Sequence, residues 1–464
     1  MLTTTTRRIA SLLLGLVIWF TPVPAGLDPQ AWQLFAIFAA VIFSVISGAL
    51  PIVLASILGL VAAVMTATLE PRQAYAGFGE GLIWLIVAAF LVGRGVINSG
   101  LGYRVAYLLV RRFGSSSLGL GYSLVATDAL IAPAFVSNTA RSGVLFPIVC
   151  ALAESNHSRP EDGSRRHIGA YLTMTSMAGL ALSSGLWLTA MGANPIGVAL
   201  AAGYGIKIDF GSWFLASSVP TITAMLVVPW MLYRVFPPEL KATPHAPIEA
   251  QARLDEMGPL SRKEWTTLAT VLGLVGGWAF AGALGIDTAS VALLGFAVLM
   301  LGGVFTLEDL RKSGGALEIL IWFAILFTMS SELNRLGFMS YLGDQLAGGL
   351  VDLPWPLLYT SLIVIYVLIH YLFVSQTAQL LALFGVFLSI AVPHVPGPLI
   401  AMMLLLATNF FSVITPQGSS CNVILAGSGY VTSREIYKYG GLITLANLVI
   451  YLVIGTPWIL FVLD

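Results

Sequence analysis

Ser137-Asn138-Thr139-Ala140-Arg141 breaks an apolar chain with five polar or small residues. Leu118–Val136 before it is long enough to cross a bilayer. Gly143–Ala153 after it is apolar for only 11 residues, about 16 Å of helix against a hydrocarbon core of ~30 Å. A limb that short turns back, so the stretch predicts a re-entrant hairpin with hydroxyls and an amide at its tip. Such backbone survives at membrane depth only where it faces protein or a wet cavity. Ser375-Gln376-Thr377-Ala378 repeats the pattern between Leu357–Val374 and the short limb Leu380–Val392. Trp84 precedes the first tip by 53 residues and Trp322 precedes the second by 53. Two tips in matching places in two halves predict a binding site between them.

Composition agrees with a membrane setting. Of 464 residues, 58% are hydrophobic and 9% charged, against roughly 25% charged in a soluble chain. Net charge is zero and no basic run points to nucleic acid. Cys150 and Cys421 lie far apart in apolar or tip-like settings and read as inert thiols. Arg7-Arg8 followed by Ile9–Pro22 resembles a signal peptide, but the poor cleavage site and the spans that follow at once favour an uncleaved first helix.

Apolar runs place crossings at Ile9–Pro24, Trp32–Leu50, Ile52–Leu69 and Leu82–Asn98, followed by an interfacial amphipathic helix at Gly102–Phe113. After the first hairpin, Ile168–Ala202 is overlong and reads as a helix broken at Gly192-Ala193-Asn194-Pro195. Trp213–Tyr233 is a span, and the Pro-rich Arg234–Glu264 is a polar linker between halves. The second half repeats the order: Trp265–Leu284, Ala289–Phe305, Leu317–Ser331, an interfacial Asn334–Gly349, and the second hairpin. Leu399–Tyr430, broken from Thr415 to Ser420, and Gly441–Val462 close the chain. With a cytoplasmic N-terminus and both hairpins re-entrant, only Arg72, Lys207 and Arg335 face outside, and Arg94 and Arg141 lie in membrane segments. That leaves 17 of 22 Lys and Arg inside, a strong positive-inside bias. The expected fold is therefore an all-α integral membrane protein with 11 transmembrane helices, two re-entrant hairpins and inverted-topology repeats.

The tips carry no acidic residue. Their hydroxyls, amides and first-turn N–H groups suit a carboxylate or phosphate, and carbonyls released at helix breaks suit sodium. The plainer alternative is that these Ser and Thr bond back to their own helices; the repeat of the motif argues for a site. Arg141 either holds a carboxylate or snorkels to the surface. His370 is either a proton site or a hydrogen-bonded packing histidine, the second being the plainer reading. An enzyme is not indicated, because no Gly-x-Ser-x-Gly occurs and His370 is the only histidine within a span. An anion channel would share the tips and would differ from a carrier in not supporting counter-substrate-dependent uptake.

The stretches Pro133–Ile148 (PAFVSNTARSGVLFPI), Leu260–Thr266 (LSRKEWT), His370–Ala378 (HYLFVSQTA) and Gly427–Val431 (GSGYV) resemble the divalent anion–sodium symporter family. They are most similar to its bacterial citrate/succinate and plastid 2-oxoglutarate/malate exchanger branch. The resemblance implies a homodimeric elevator carrying di- or tricarboxylates across a bacterial inner membrane. Residues 1–78 and 206–316 (with the linker 234–264) would form the scaffold, and 79–205 and 317–464 the transport domain. It also implies substrate contacts at Ser137, Asn138, Thr139, Ser375, Gln376, Thr377, Thr415, Pro416 and the turn after it, to which the residue reading adds Arg141 as a candidate. Sodium, if used, would sit among Ser137, Asn138, Gly192, Ala193, Asn194 and Thr377; no other cofactor is implied. Gln376 stands where sodium-coupled members carry Asn, and this departure points to exchange.

Overall fold

The computed structural model describes residues 3–463, and helices dominate throughout. Three helices open the chain: α1 (Thr4–Phe20), α2 (Pro29–Ile46) and α3 (Ile52–Met65). Next come α4 (Gly81–Ser99) and the amphipathic α5 (Leu101–Phe113), turned at Gly100, whose φ of 80° suits a residue without Cβ. The first hairpin is α6 (Ser117–Ile131) and α7 (Asn138–Ser155). The first broken helix is α8 (Gly169–Leu186) and α9 (Ala193–Ala202). After α10 (Phe210–Val235), α11 (His245–Met257), α12 (Arg262–Leu284) and α13 (Thr288–Leu301), the succession repeats. It runs through α14 (Gly314–Arg335), α15 (Phe338–Ala347), the second hairpin α16 (Trp355–Ile369) and α17 (Gln376–Ala391), and the second broken helix α18 (Gly397–Phe410) and α19 (Ser420–Ala426). A final helix, α20 (Ser433–Leu463), contains two π-turns. A Cβ on its Gly440 would lie 2.1 Å from the Val413 carbonyl, so only glycine allows α20 this close to the second helix break.

Among the described residues, nine helices are long and apolar enough to cross a membrane. They include α6 and α16, the leading limbs of the two hairpins, each counted with the short turn that follows. α3 and α13 have 14 residues each, about 21 Å.

The first hairpin differs from expectation in how it returns. Its second limb is 18 residues long, about 27 Å, because the polar tip itself forms the first helical turn. Shortness does not turn it back. Instead the start of α6 and the loop that leads from α7 into α8 both bond to one segment after α10. Ser117 donates its N–H to the Lys241 carbonyl (3.1 Å) and Thr243 donates to Ser115 (3.0 Å). From the other end, Glu239 and Leu240 donate to the carbonyls of Arg166 (3.1 Å) and His167 (3.0 Å). The tip therefore points away from Glu239–Thr243, into the protein. The second hairpin returns to α15, where the Ser389 hydroxyl donates to the Met339 carbonyl at 2.9 Å.

Two further readings are corrected. Arg234–Glu264 is not all linker, since α11 packs along α5 and Arg104 on α5 pairs with Glu264 at 2.5 Å. The first helix break lies at Trp187–Gly192, upstream of the proline. Pro195 sits in the first turn of α9, where a missing N–H costs nothing. In the packing, α4 lies mainly against α13 and α14 against α3, while both broken helices lie among the hairpin limbs.

Candidate binding site between the two hairpin tips

Both tips are built alike. A 3₁₀ turn ends the leading limb, Phe-Val runs extended, and a serine caps the next helix. The Ser137 hydroxyl accepts from the Ala140 N–H and the Ser375 hydroxyl from the Ala378 N–H, each at 3.3 Å. Serine is favoured there because its oxygen satisfies one of the orphan first-turn donors. The hydroxyls of these two serines are therefore caps, which leaves the neighbouring N–H groups for a ligand.

The tips meet across one cavity of about 400 Å³. Ser137, Asn138 and Thr139 line it from one side, Ser375, Gln376 and Thr377 from the other. Gly192 from the first helix break and Ser419 and Ser420 from the second complete the polar part. Val45, Ile52, Ile319, Trp322 and Phe323, from α2, α14 and the start of α3, form an apolar wall. No charged side chain lines the cavity among the described residues. An anion held here would rest on helix N-termini, hydroxyls and amides.

Five residues expected at the site lie behind or beside it. Arg141 is fully buried and points away from the cavity. Its guanidinium holds Asp128 (2.8 Å), the hydroxyls of Ser183 and Ser184 (2.5 Å each) and the Asn138 Oδ1 (2.7 Å). It neither snorkels nor reaches the cavity, because Asp128 in the leading limb neutralises it in place. Ala193, Asn194 and Thr415 are buried outside the lining, and Pro416 is half-buried beside it.

Sequence reasoning missed Asp128, although a lone carboxylate 13 residues before Arg141 in an apolar limb was the available signal. It placed the turn after Pro416 in the second half-site without singling out Ser419 and Ser420, the two residues of that turn that line the cavity. The apolar wall carried no local signal, since its residues look like any other membrane-helix residues.

The helix breaks are held by one device used twice. The Asn194 amide donates to the carbonyls of Ser184 (2.8 Å) and Trp187 (3.3 Å). The Asn422 amide donates to those of Ser412 (2.6 Å) and Thr415 (3.0 Å). In both cases the carbonyls lie 10 and 7 residues before the asparagine. The Asn194 Oδ1 in turn accepts from Asn409 at 2.8 Å. His370 packs beneath the second tip, stacked on Phe411 with ring centres 3.9 Å apart. Its two ring nitrogens face the Gln379 Oε1 (2.7 Å) and the Gly418 carbonyl (2.9 Å).

The family model described as "Sodium:sulfate symporter transmembrane region" matches residues 2–463. Dicarboxylate transporter 1 of spinach chloroplasts is 40% identical over 456 residues, covering 97% of this chain and 80% of that one. The putative malate transporter YflS of Bacillus subtilis is 38% identical, covering 97% and 95%. An L-tartrate/succinate antiporter of Shigella sonnei is 32% identical, covering 98% of each. The fold is similar to that of the Alcanivorax borkumensis YdaH transporter, described as having an unusual topology, with a TM-score of 0.58 at 15% identity over 99% and 97% of the two chains. The chain is thus a membrane transporter and not an enzyme, and it belongs to the sodium:sulfate symporter family, the divalent anion–sodium symporters whose paired tips it carries.

Proposed function

We propose that this transporter exchanges di- or tricarboxylates of the citrate, succinate, malate and 2-oxoglutarate class. The observation that carries the reading is the meeting of two serine-capped helix N-termini across one uncharged polar cavity. Each N-terminus would take one carboxylate. The names of the relatives, which include dicarboxylate, malate and tartrate/succinate carriers, support the substrate class.

Exchange is favoured over sodium symport by the state of the oxygens that sodium would need. The Asn138 Oδ1 is engaged by Arg141 and Ser184, the Asn194 Oδ1 by Asn409, and two carbonyls at each break by an asparagine amide. The Gln376 amide nitrogen donates to the Thr408 carbonyl at 2.8 Å, and His370 takes the Gly418 carbonyl. Symport of the same substrates remains the competing reading, favoured by the description of the matching family. Counterflow in proteoliposomes decides between them. Internal succinate, malate, 2-oxoglutarate or citrate should accelerate uptake of labelled substrate, and an inward sodium gradient into empty vesicles should not. Uphill sodium-driven uptake would overturn exchange, and failure of every carboxylate would overturn the substrate class.

In this reading the carrier is a homodimeric elevator of 11 crossings in a bacterial inner membrane, with the N-terminus cytoplasmic and the two halves inverted. The hairpins and broken helices would move as one body against α2, α3, α13 and α14. The resemblance implied that α4 and α14 move with 79–205 and 317–464; because α4 packs on α13 and α14 on α3, we place these two helices, and with them the apolar wall, in the frame instead. Single cysteines replacing Glu249 and Asp287, both exposed, test the orientation. Glu249→Cys should label from the cytoplasm only and Asp287→Cys from outside only; labelling of both from one side would overturn the topology.

A further inference from the structure

α1 packs on α2, with Gly15 so close that an added Cβ would lie 3.0 Å from the Ala40 Cβ. α2 in turn packs on α3. Between α1 and α3, over the small residues Ala36, Ala40 and Ser44 of α2, lies a second cavity of about 620 Å³. It shares the helices α2 and α3 with the cavity between the tips but none of that cavity's lining residues. Its hydroxyls are turned away from any ligand. Ser11 donates to the Arg7 carbonyl (2.9 Å), Ser44 to Val41 (2.7 Å) and Thr66 to Ala62 (2.7 Å). The groove therefore offers hydrocarbon only, and a polar solute would lose its water there without replacement.

One end of the groove is different. Arg8 lines it and Arg7 stands beside it. Each is pinned by one bond to the turn after α2, Arg7 Nη1 to the Ser47 carbonyl (3.0 Å) and Arg8 Nε to the Ala49 carbonyl (3.2 Å). Neither forms an ion pair with a carboxylate among the described residues, whose ion pairs all lie elsewhere. From Arg8 to Trp19, at the far end of the lining, is about 17 Å of helix. One leaflet of a ~30 Å core is about 15 Å deep.

We propose that this groove is a binding site for an anionic phospholipid of the leaflet on the N-terminal side. One acyl chain lies along α2 between α1 and α3, and the phosphodiester is held by Arg7 and Arg8. The guanidinium fork matches phosphate oxygens in two-point geometry, and the pinning bonds keep both forks at the mouth. The charge at one end and the leaflet-length dry channel behind it select an anionic lipid over a second copy of the chain.

Native mass spectrometry of the full-length detergent-purified protein, titrated with phosphatidylglycerol or phosphatidylcholine, tests this. Phosphatidylglycerol should bind more tightly. In the Arg7→Gln/Arg8→Gln variant its affinity should fall about 25-fold, five-fold per arginine, while phosphatidylcholine is unchanged. Leu58→Trp, at a half-exposed groove position, should remove one bound lipid of either kind and leave counterflow transport at the parent level. Transport by both variants confirms that they fold. Equal binding of the two lipids by the parent, or no change in the double variant, overturns headgroup recognition. Loss of oligomer mass in Leu58→Trp with the lipid count unchanged would make the groove an interface between copies and overturn the proposal.

Discussion

The two hairpins present nearly the same tip, Phe-Val-Ser-Asn-Thr-Ala and Phe-Val-Ser-Gln-Thr-Ala, yet they are braced by opposite chemistry. Residues 238 apart correspond. Behind the first tip, Asp128 and Arg141 form a fully buried ion pair supported by Ser183, which bonds to both. Behind the second, the same positions are Tyr366 and Gln379, joined by a neutral bond of 2.7 Å from the glutamine amide to the tyrosine carbonyl. His370 completes this side, lying beside Gln379 and stacked on Phe411. The tip geometry is thus preserved while its support diverges. What the repeat keeps is the serine cap and the extended Phe-Val, which aim N–H groups into the cavity. Whether a buried ion pair or neutral bonds hold them differs between the two sides.

The largest expected effect follows from that contrast. Arg141→Met alone strands a buried carboxylate, which should destabilise the protein by about 3–5 kcal/mol. The double variant Asp128→Leu/Arg141→Met should recover most of this. Gln379→Leu, which breaks only neutral bonds, should cost about 1–3 kcal/mol. Thermal unfolding in detergent measures all three. Equal losses for Arg141→Met and Gln379→Leu would erase the distinction between the braces.

Ligand affinity should separate the tips next. The Thr139 hydroxyl pairs with the Ser420 hydroxyl at 2.5 Å, whereas at the helix breaks, where Asn194 matches Asn422 and residues 228 apart correspond, the position that mirrors Ser420 is Gly192, with no side chain to meet Thr377. Thr377→Val should therefore weaken carboxylate binding by about 1.5–3 kcal/mol, roughly 10- to 150-fold. Thr139→Val should cost about 0.5–1.5 kcal/mol, roughly 2- to 10-fold, since its hydroxyl is shared with the protein. Substrate-dependent thermal shifts report both, because a ligand stabilises only the folded state it binds. Equal losses would mean that Ser420 does not compete for Thr139.

The smallest effect should be the same on both sides. Ser137→Ala and Ser375→Ala each remove one helix cap and should each cost about 1 kcal/mol. Stability curves for the two variants should nearly coincide. A difference of several-fold between them would show that the two tips are not built alike after all.

Much of the organisation was legible in the chain because it follows from local rules. Polar interruptions in apolar runs mark the hairpin tips and helix breaks, since unsatisfied backbone is too costly in lipid to occur without a site to face. The matching 53-residue spacing of Trp84 and Trp322 from the tips exposed the repeat. Serine before a helix start is a favoured cap, and both tips use it.

Tertiary structure alone decided which polar groups face the ligand and which serve the protein. Arg141 looked available on its own helix, and only the return of the hairpin beside Asp128 and α8 made it internal. Asn194 looked like a cation ligand beside a proline, and only the break at Trp187 turned its amide to the freed carbonyls. The apolar wall of Val45, Ile319 and Trp322 could not be read at all, because hydrophobicity in a membrane helix does not tell lipid from cavity. The sequence by itself determined that backbone order is interrupted at two tips and in two overlong helices, since that depends on neighbouring residues, though the first break falls upstream of the place read from the sequence. Which partners fill each interrupted group depends on chain segments hundreds of residues apart, and only the folded arrangement brings them together.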